Sequence, residues 1–168
     1  MNRKTQITVI GYSGSHCSSK AYSLAYESGK AIAKAGAVLI TGGLDGVMEA
    51  ASKGANQEGG LVLGIVPQST FDHANSYSNI VIPSGLGYAR DFLTAYSADG
   101  VIIIGGGAGT LIEACVAYLV NKPIVAIKGS GGIADKISGD YLDERKISKI
   151  HTVNNPNKAI ELLLSLIY

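Results

Sequence analysis

At 168 residues and a formal net charge of +1, the chain has the size of one ordinary domain, and we expect a single core within residues 1–168. The charged fraction of 16% leaves no basic stripe of the kind that binding to nucleic acid requires, so we expect no nucleic-acid partner. Hydrophobic residues make up 46% of the chain, with only two Phe and no Trp, which predicts the aliphatic core that is typical of a parallel sheet.

Short apolar runs alternate with longer helical stretches along the chain. The predicted strands are 7–11, 38–41, 61–65, 80–82, 101–104 and 124–127, with a weak strand near His151. The predicted helices are 21–35, 46–58, 88–97, 110–121 and 156–167. This alternation is the signature of βαβ units, so we predict an α/β fold, a Rossmann-like open parallel sheet with helices on both faces.

The helix predicted at 110–121 is apolar on nearly every face. Such a helix has to be covered on two sides, by the sheet and by a second surface. One interpretation is a second copy of the chain, which predicts a homodimer or a higher homo-oligomer packed through this helix. The other is burial by the last helix, which begins favourably with Asn155 as its cap and Pro156 at its first position.

The stretch 129–145 is the most loop-like part of the sequence, because it combines Gly131, Gly132 and Gly139 with several charges. It has two interpretations, a mobile lid or an ordinary surface connection.

Glycine clusters follow three of the predicted strands. They comprise Gly11, Ser13, Gly14 and Ser15 after the first strand, Gly42, Gly43 and Gly46 after the second, and Gly105, Gly106, Gly107, Gly109 and Thr110 after the fifth. The carboxyl ends of parallel strands lie at one edge of a sheet, so the three corners are expected to meet there at a ligand. Glycine lets the backbone approach a ligand, and the following helix directs unpaired N–H groups at the same place, which suits a phosphate. For any single corner, a tight strand-to-helix turn remains the alternative interpretation.

The third corner has four glycines in five residues, more than a turn requires, so we predict that Gly107, Gly109 and the Thr110 hydroxyl contact the phosphate. No Gly-Lys-Ser or Gly-Lys-Thr follows any glycine cluster, and the first corner lacks the full G-x-G-x-x-G spacing. These absences disfavour an ATPase and an NAD dehydrogenase. Further candidates for lining the pocket are Tyr12, Asp45 and Glu49.

Two ionic residues lie close to the third corner in the predicted fold. Arg90 begins the helix before the fifth strand, and we expect it to bind a phosphate bidentately; the alternatives are a solvated residue or a partner of Asp91. Glu113 has two interpretations of equal weight. It completes a capping box with Thr110, or it belongs to the site as a carboxylate that contacts sugar hydroxyls or activates water.

Cysteine and histidine spacing predicts neither a metal site nor a disulfide. Cys17 and Cys115 lie far apart without a CxxC pattern, and His16, His73 and His151 are scattered. We interpret each cysteine as a small apolar filler. The sequence carries no apolar signal region and no run approaching the roughly 20 residues of a membrane span, so we expect a cytoplasmic protein with no membrane partner.

The glycine motifs resemble those of a known superfamily. Gly-Gly-Gly-Ala-Gly-Thr-Leu-Ile-Glu at 105–113, with Arg90 upstream, and Thr-Gly-Gly at 41–43 followed by Gly-Val-Met-Glu-Ala-Ala at 46–51 carry the resemblance. This superfamily unites the lonely-guy phosphoribohydrolases, which release cytokinin bases from nucleoside monophosphates, with the molybdenum cofactor carrier proteins. The carrier branch is the more similar, through Gly-Leu-Gly-Tyr-Ala-Arg at 85–90 and the stretch 131–135. The resemblance implies a bound nucleoside monophosphate or molybdopterin and no required cofactor.

The hydrolase branch implies roles for particular residues. Its second motif reads Pro-Gly-Gly-x-Gly-Thr-x-x-Glu, preceded by Met-x-x-Arg-Lys. The resemblance therefore implies Glu113 as the catalytic carboxylate and Arg90 as its partner, with Gly106, Gly107, Gly109 and Thr110 at the 5′-phosphate. Gly105 stands where the hydrolases have Pro, and Asp91 stands where they have Lys. The second departure changes the charge beside an anion site, which implies a different ligand, weaker phosphate binding or lost turnover.

Three hypotheses follow for the function. The first is a binding or carrier protein for a phosphorylated nucleotide-like or pterin-like molecule. The second is a hydrolase that cleaves the N-glycosidic bond of nucleoside 5′-monophosphates, with Glu113 steering water or stabilising an oxocarbenium-like sugar. The third is an assembly subunit with a vestigial pocket, which requires the glycine corners to be collapsed or occluded.

Overall fold

The computed structural model describes residues 3–168, which form one sheet of seven strands. The strands are β1 (Gln6–Gly11), β2 (Val38–Thr41), β3 (Val62–Val66), β4 (Ile80–Pro83), β5 (Gly100–Ile104), β6 (Ile124–Ile127) and β7 (Ile150–Val153). Their order in the sheet is β4-β3-β2-β1-β5-β6-β7, and every neighbouring pair is parallel. The predicted α/β fold with an open parallel sheet is confirmed.

Six helices cover the two faces of the sheet. They are α1 (Ser19–Lys34), α2 (Val47–Gln57), α3 (Arg90–Tyr96), α4 (Ala108–Leu119), α5 (Gly132–Ile137) and α6 (Pro156–Ile167). Helices α1, α2 and α6 pack on one face, and α3, α4 and α5 pack on the other. None of the helices within residues 3–168 is both long and apolar enough to cross a membrane.

Alternating side chains of β1 build an aliphatic core on each face. Ile7 and Val9 belong to the core under α1, α2 and α6, while Ile10 belongs to the core under α4 and α5. Thr8 lies on the second face as well, where its hydroxyl donates to the main-chain carbonyl of Thr94 at 2.8 Å. This buried hydrogen bond fixes α3 to the central strand and so positions Arg90 at its N-terminus.

The predicted strands agree with the structure to within one residue, the ends of the predicted helices differ by up to two residues, and one helix was not predicted. Helix α4 begins at Ala108, because Gly107 takes the N-cap position that the sequence pattern assigned to Thr110. The loop-like stretch 129–145 contains the six-residue helix α5. The sequence did not predict this helix, because glycines flank it and so short a segment shows no helical periodicity.

Helix α4 is only partly covered by its own chain. Ala114, Ala117 and Tyr118 are buried against the sheet, whereas Ile112 and Leu119 are exposed. The interpretation that the last helix covers α4 is wrong, because α6 packs against α1 on the opposite face.

Candidate functional site

A cavity of about 1100 Å³ opens at the carboxyl edge of the sheet, where the strand order reverses. β1 lies between β2 and β5, so the chain turns away in opposite directions from the loops that follow β1 and β5, and a crevice remains between them. This space is open, so the glycine corners within residues 3–168 are not collapsed. The assembly-subunit hypothesis requires collapsed or occluded corners.

The N-terminus of α4 forms one wall of the cavity. The first intrahelical hydrogen bond is donated by the Leu111 amide to the Gly107 carbonyl at 3.0 Å, so the amides of 108–110 have no helical acceptor. Unpaired amides and the positive end of the helix dipole favour an anion at this position. The Thr110 hydroxyl donates to the Gly11 carbonyl at 3.1 Å and thereby joins the first and third corners.

Gly105 gives the third corner a conformation that proline cannot adopt. Its φ is +62°, whereas the proline ring holds φ near −65°. The ring of Tyr12 occupies the space that a Cβ on Gly105 would fill, and the Gly105 amide donates to the Ser130 hydroxyl at 2.8 Å. The departure from the hydrolase motif at this position is therefore part of how the corner is built.

Helix α5 is docked on the same corner and forms a wall of the cavity. The amides of Ile133 and Ala134 donate to the carbonyls of Gly106 and Gly105, both at 2.9 Å. The carboxylate of Asp135 accepts from the amides of Gly129 and Gly131, at 2.6 and 3.1 Å, which closes the turn before the helix. These bonds attach the segment 129–137 to the third corner, and Gly132, Ile133 and Lys136 of this segment line the cavity.

Arg90 lies at the bottom of the cavity and is 93% buried, so it is not a solvated residue. Its guanidinium occupies the space that a Cβ on Gly42 would fill. The Nε atom lies 3.6 Å from the carboxylate of Asp91 and has no hydrogen-bond partner among residues 3–168. A buried donor of a charged group without an acceptor is costly. Because the Arg90 side chain lines the cavity, its positive charge is suited to attract an anionic group that enters there.

Glu113 also lines the cavity, on the second turn of α4. The capping box predicted for it is wrong, because the cap is Gly107 and the Thr110 hydroxyl bonds elsewhere. Burial raises the pKa of Glu113 to about 8; a hydrogen bond donated by the Thr94 hydroxyl would lower it, the Asp91 carboxylate raises it, and the Arg90 guanidinium lowers it. Burial likewise raises the pKa of Asp91, although Arg90 opposes this effect.

The cavity brings together nine of the fourteen residues predicted for the site. They are Gly11, Ser13, Gly42, Arg90, Gly106, Gly107, Gly109, Thr110 and Glu113. The other five do not line it: Gly14, Ser15, Gly43, Gly46 and Gly105. Gly14 donates its amide to Asp45 at 2.8 Å, and the α2 N-terminus is covered because the Val47 amide donates to the Tyr12 carbonyl at 2.9 Å. The second corner therefore directs few amides into the cavity.

Sequence reasoning missed several lining residues. Gln68 follows β3, and the oxygen of its side-chain amide, Oε1, is buried with no partner among the described residues. The rule that residues after strand ends meet at one edge would have found it. Lys136 lines the cavity from α5, and no periodicity in the sequence revealed that helix. Tyr88 lies at the cavity with 87% of its surface exposed.

Comparison with solved structures shows similar proteins, including these three. The structure of TM1055, a structural-genomics target, is 36% identical, with a TM-score of 0.89 over 96% of this chain and 99% of that chain. The molybdenum cofactor binding protein of the phototrophic bacterium Rippkaea orientalis is 33% identical, with a TM-score of 0.85 over all of both chains. The Moco carrier protein of Chlamydomonas reinhardtii is 32% identical, with a TM-score of 0.85 over 98% of each chain.

These likenesses and a family model agree on the superfamily. The Rossmann-like fold is that of the similar structures, and two of them are molybdenum cofactor binding or carrier proteins. The resemblance drawn from the glycine motifs is confirmed. The model of the SLOG cluster4 family matches residues 4–160, nearly the whole chain, and the protein belongs to that family.

Proposed function

We propose that this protein binds and carries a phosphorylated small molecule, nucleotide-like or pterin-like, in the cavity at the strand ends. The observation that carries the proposal is that the buried, positively charged Arg90 lines the same cavity as the unpaired amides of α4. A phosphate supplies acceptors to both groups at once.

The likeness to carriers supports a particular cargo. Two similar structures are described as molybdenum cofactor binding or carrier proteins, and this chain matches them over almost its full length. We therefore propose molybdopterin, or the cofactor built on it, as cargo, with nucleoside monophosphates as smaller ligands of the same phosphate contacts. The cavity of about 1100 Å³ lies at the upper end of small-molecule sites and has room for such compounds.

Native mass spectrometry of the purified protein tests this function, because it weighs a retained compound and counts chains together. In parallel, AMP and molybdopterin are expected to raise Tm, since a ligand bound only by the folded state stabilises it by mass action. Adenosine, which lacks the phosphate, is the matched control and is expected to give no shift. The proposal fails if no phosphorylated compound shifts Tm at millimolar concentration.

A second candidate is the nucleoside 5′-monophosphate phosphoribohydrolase, favoured by the presence of Arg90 and Glu113 in one cavity. Incubation with AMP and detection of adenine test it, with Glu113→Ala as the variant that loses the activity. A reaction that uses the carboxylate form is expected to accelerate as pH rises through about 8, because burial raises the pKa of Glu113 to about 8. If no adenine is released at high protein concentration, AMP is not a substrate.

We also propose a homodimer formed through α3 and α4, which pack side by side on one face. Exposed apolar side chains cluster on these two helices: Phe92, Leu93, Tyr96, Ile112 and Leu119. Exposed apolar surfaces of this kind on soluble proteins mark interaction sites. The cavity also takes its lining from both helices, through Asp91 and Leu111, so a second copy would lie next to the bound ligand.

A further inference from the structure

The hydroxyl of Thr94 contacts two oxygen atoms inside α3 and α4. It lies 2.9 Å from the main-chain carbonyl oxygen of Asp91 and 2.7 Å from Oε1 of Glu113. Thr94 is fully buried, and both distances are those of good hydrogen bonds.

The positions of protons follow from this geometry. A hydroxyl carries one proton and two lone pairs, whereas a carbonyl oxygen can only accept. A threonine inside a helix can donate to the carbonyl three or four residues earlier, which here is Asp91. If the Thr94 proton lies on that bond, the contact with Glu113 is a hydrogen bond only when Glu113 supplies the second proton.

We propose that Glu113 is a neutral carboxyl in the ligand-free protein, that its proton is donated to the Thr94 hydroxyl, and that Thr94 is the residue that positions it. The inference rests on the proposed function only for its consequence at the ligand. The free oxygen, Oε2, is then a hydrogen-bond acceptor without a negative charge.

The charged surroundings agree with this protonation state. Asp91 on α3 lies near Glu113 and opposes a second negative charge, while Arg90 on the same helix favours one. His16 and Lys136 line the same cavity from the loop after β1 and from α5. From the sheet, Val9 and Ile10 line the cavity and bring no charge. The 93% burial of Glu113 disfavours its ionised form, which agrees with a bound proton at neutral pH.

The consequence concerns the class of ligand. A neutral Glu113 does not repel a phosphate at the nearby α4 N-terminus, whereas an ionised Glu113 would. If Glu113 donates its proton to the Thr94 hydroxyl, the remaining oxygen atoms of Asp91 and Glu113 can only accept hydrogen bonds from a ligand. The part of the ligand next to its phosphate is therefore expected to carry hydroxyl or N–H donors, as a sugar or an aminopyrimidine ring does.

An NMR titration of the ligand-free protein with ¹³C-labelled glutamate side chains tests the proton assignment, with Glu113→Gln to assign the signal. Thr94→Val removes the acceptor of the Glu113 proton, so the midpoint of Glu113 is expected to fall by roughly one pH unit. Thr94→Ser keeps the hydroxyl and is expected to keep the wild-type midpoint. A midpoint that rises or stays unchanged in Thr94→Val means that Thr94 donates to Glu113, and it overturns the proposal.

Glu113→Gln gives a test that does not depend on the Thr94 variants. Folded Glu113 keeps its proton up to about pH 8, whereas the unfolded side chain loses it near its ordinary pKa of 4.5. The stability of the wild type therefore falls over this range, and Tm of Glu113→Gln is expected to rise progressively above that of the wild type between these two pH values. A constant difference in Tm across the range contradicts a neutral Glu113.

The pH dependence of sulfate binding distinguishes this inference from the proposed function. Sulfate stays a dianion between about pH 6.5 and about pH 9, so a change in its affinity over this range reports on groups of the protein. Wild-type affinity is expected to fall about tenfold between about pH 6.5 and about pH 9, as Glu113 gains its charge. Glu113→Gln retains His16 and Lys136 and is expected to show a clearly smaller fall. If sulfate binds at no pH, the proposed anion corner is wrong, while the titration still decides the state of Glu113. If sulfate binds and both proteins lose affinity equally, the inference is wrong.

Discussion

The contact between Gly105 and Tyr12 determines the shape of the third corner. The ring of Tyr12 lies where a Cβ of Gly105 would be, and its hydroxyl lies beside Gly132 on the docked segment that contains α5. One aromatic side chain of the first corner thus packs between two glycines of distant segments.

Gly105→Ala is expected to destabilise the protein by about 2–4 kcal/mol, because the positive φ costs about 1 kcal/mol and the clash with Tyr12 adds an overpacking cost. Gly36 is a matched control, since it also has a positive φ of +74° but has open space around it. Gly36→Ala is expected to cost only about 1 kcal/mol. Urea denaturation measures both, and the double variant Gly105→Ala with Tyr12→Ala reports whether the clash is the cause. Equal costs at Gly36 and Gly105 would contradict this account.

Gly42 leaves room for the Arg90 guanidinium. Gly42→Ala places a methyl group against the ends of Arg90 and Met48, which are flexible side chains that can shift. We expect the fold to persist and the affinity for AMP to fall by about tenfold, which corresponds to about 1.4 kcal/mol. Isothermal titration calorimetry measures the affinity, and circular dichroism checks the fold. An unchanged affinity in a folded Gly42→Ala protein would show that the position of Arg90 does not matter for the ligand.

At the scale of elements, Lys122 closes the C-terminal end of α3. Its ammonium group donates to the carbonyls of Ala95, Tyr96 and Ala98, and so joins the end of α3 to the segment that follows α4. Helix C-termini leave carbonyls unpaired, and a cation there satisfies them and interacts favourably with the helix dipole. Half-burial lowers the pKa of Lys122, which nearby Asp99 opposes.

Lys122→Met is expected to lower the free energy of unfolding by about 2 kcal/mol, because it leaves three carbonyls without their charged donor. Lys158→Met, at an exposed position of α6, is the control and is expected to change stability by less than about 0.5 kcal/mol. Chemical denaturation followed by circular dichroism gives both values. Equal effects of the two substitutions would mean that Lys122 does not hold the end of α3.

At the scale of the whole molecule, the exposed apolar side chains of α3 and α4 predict self-association. Leu119→Lys introduces a charge into the proposed interface and is expected to shift the mass in solution from two chains to one. Phe71→Lys, an exposed apolar residue outside these helices, is expected to leave the mass unchanged. Light scattering coupled to gel filtration measures the mass. A wild-type protein that is monomeric at micromolar concentration would contradict the dimer.

The sequence carried enough information for the sheet and for most of the cavity. The strands of this sheet are nearly continuous apolar runs, and the glycines after β1, β2 and β5 mark their ends, so alternation and position were sufficient. The burial of Glu113 and the missing hydrogen-bond acceptor of Arg90 Nε within the described residues could not be predicted from the sequence, because both depend on how α3 packs against α4. The position of α5 depends on main-chain hydrogen bonds to Gly105 and Gly106. Such bonds produce no pattern of side chains in the sequence, so this contact could not be predicted.

The bond from the Thr110 hydroxyl to the Gly11 carbonyl joins residues 99 positions apart in the chain. The corner therefore exists only after β1 and β5 have paired across the middle of the sheet, a long-range step that pays a large loop-closure cost. A fragment that ends before β5 would contain the first two glycine corners and lack the third. A ligand that requires this corner would therefore bind only to a chain in which β1 and β5 have already paired.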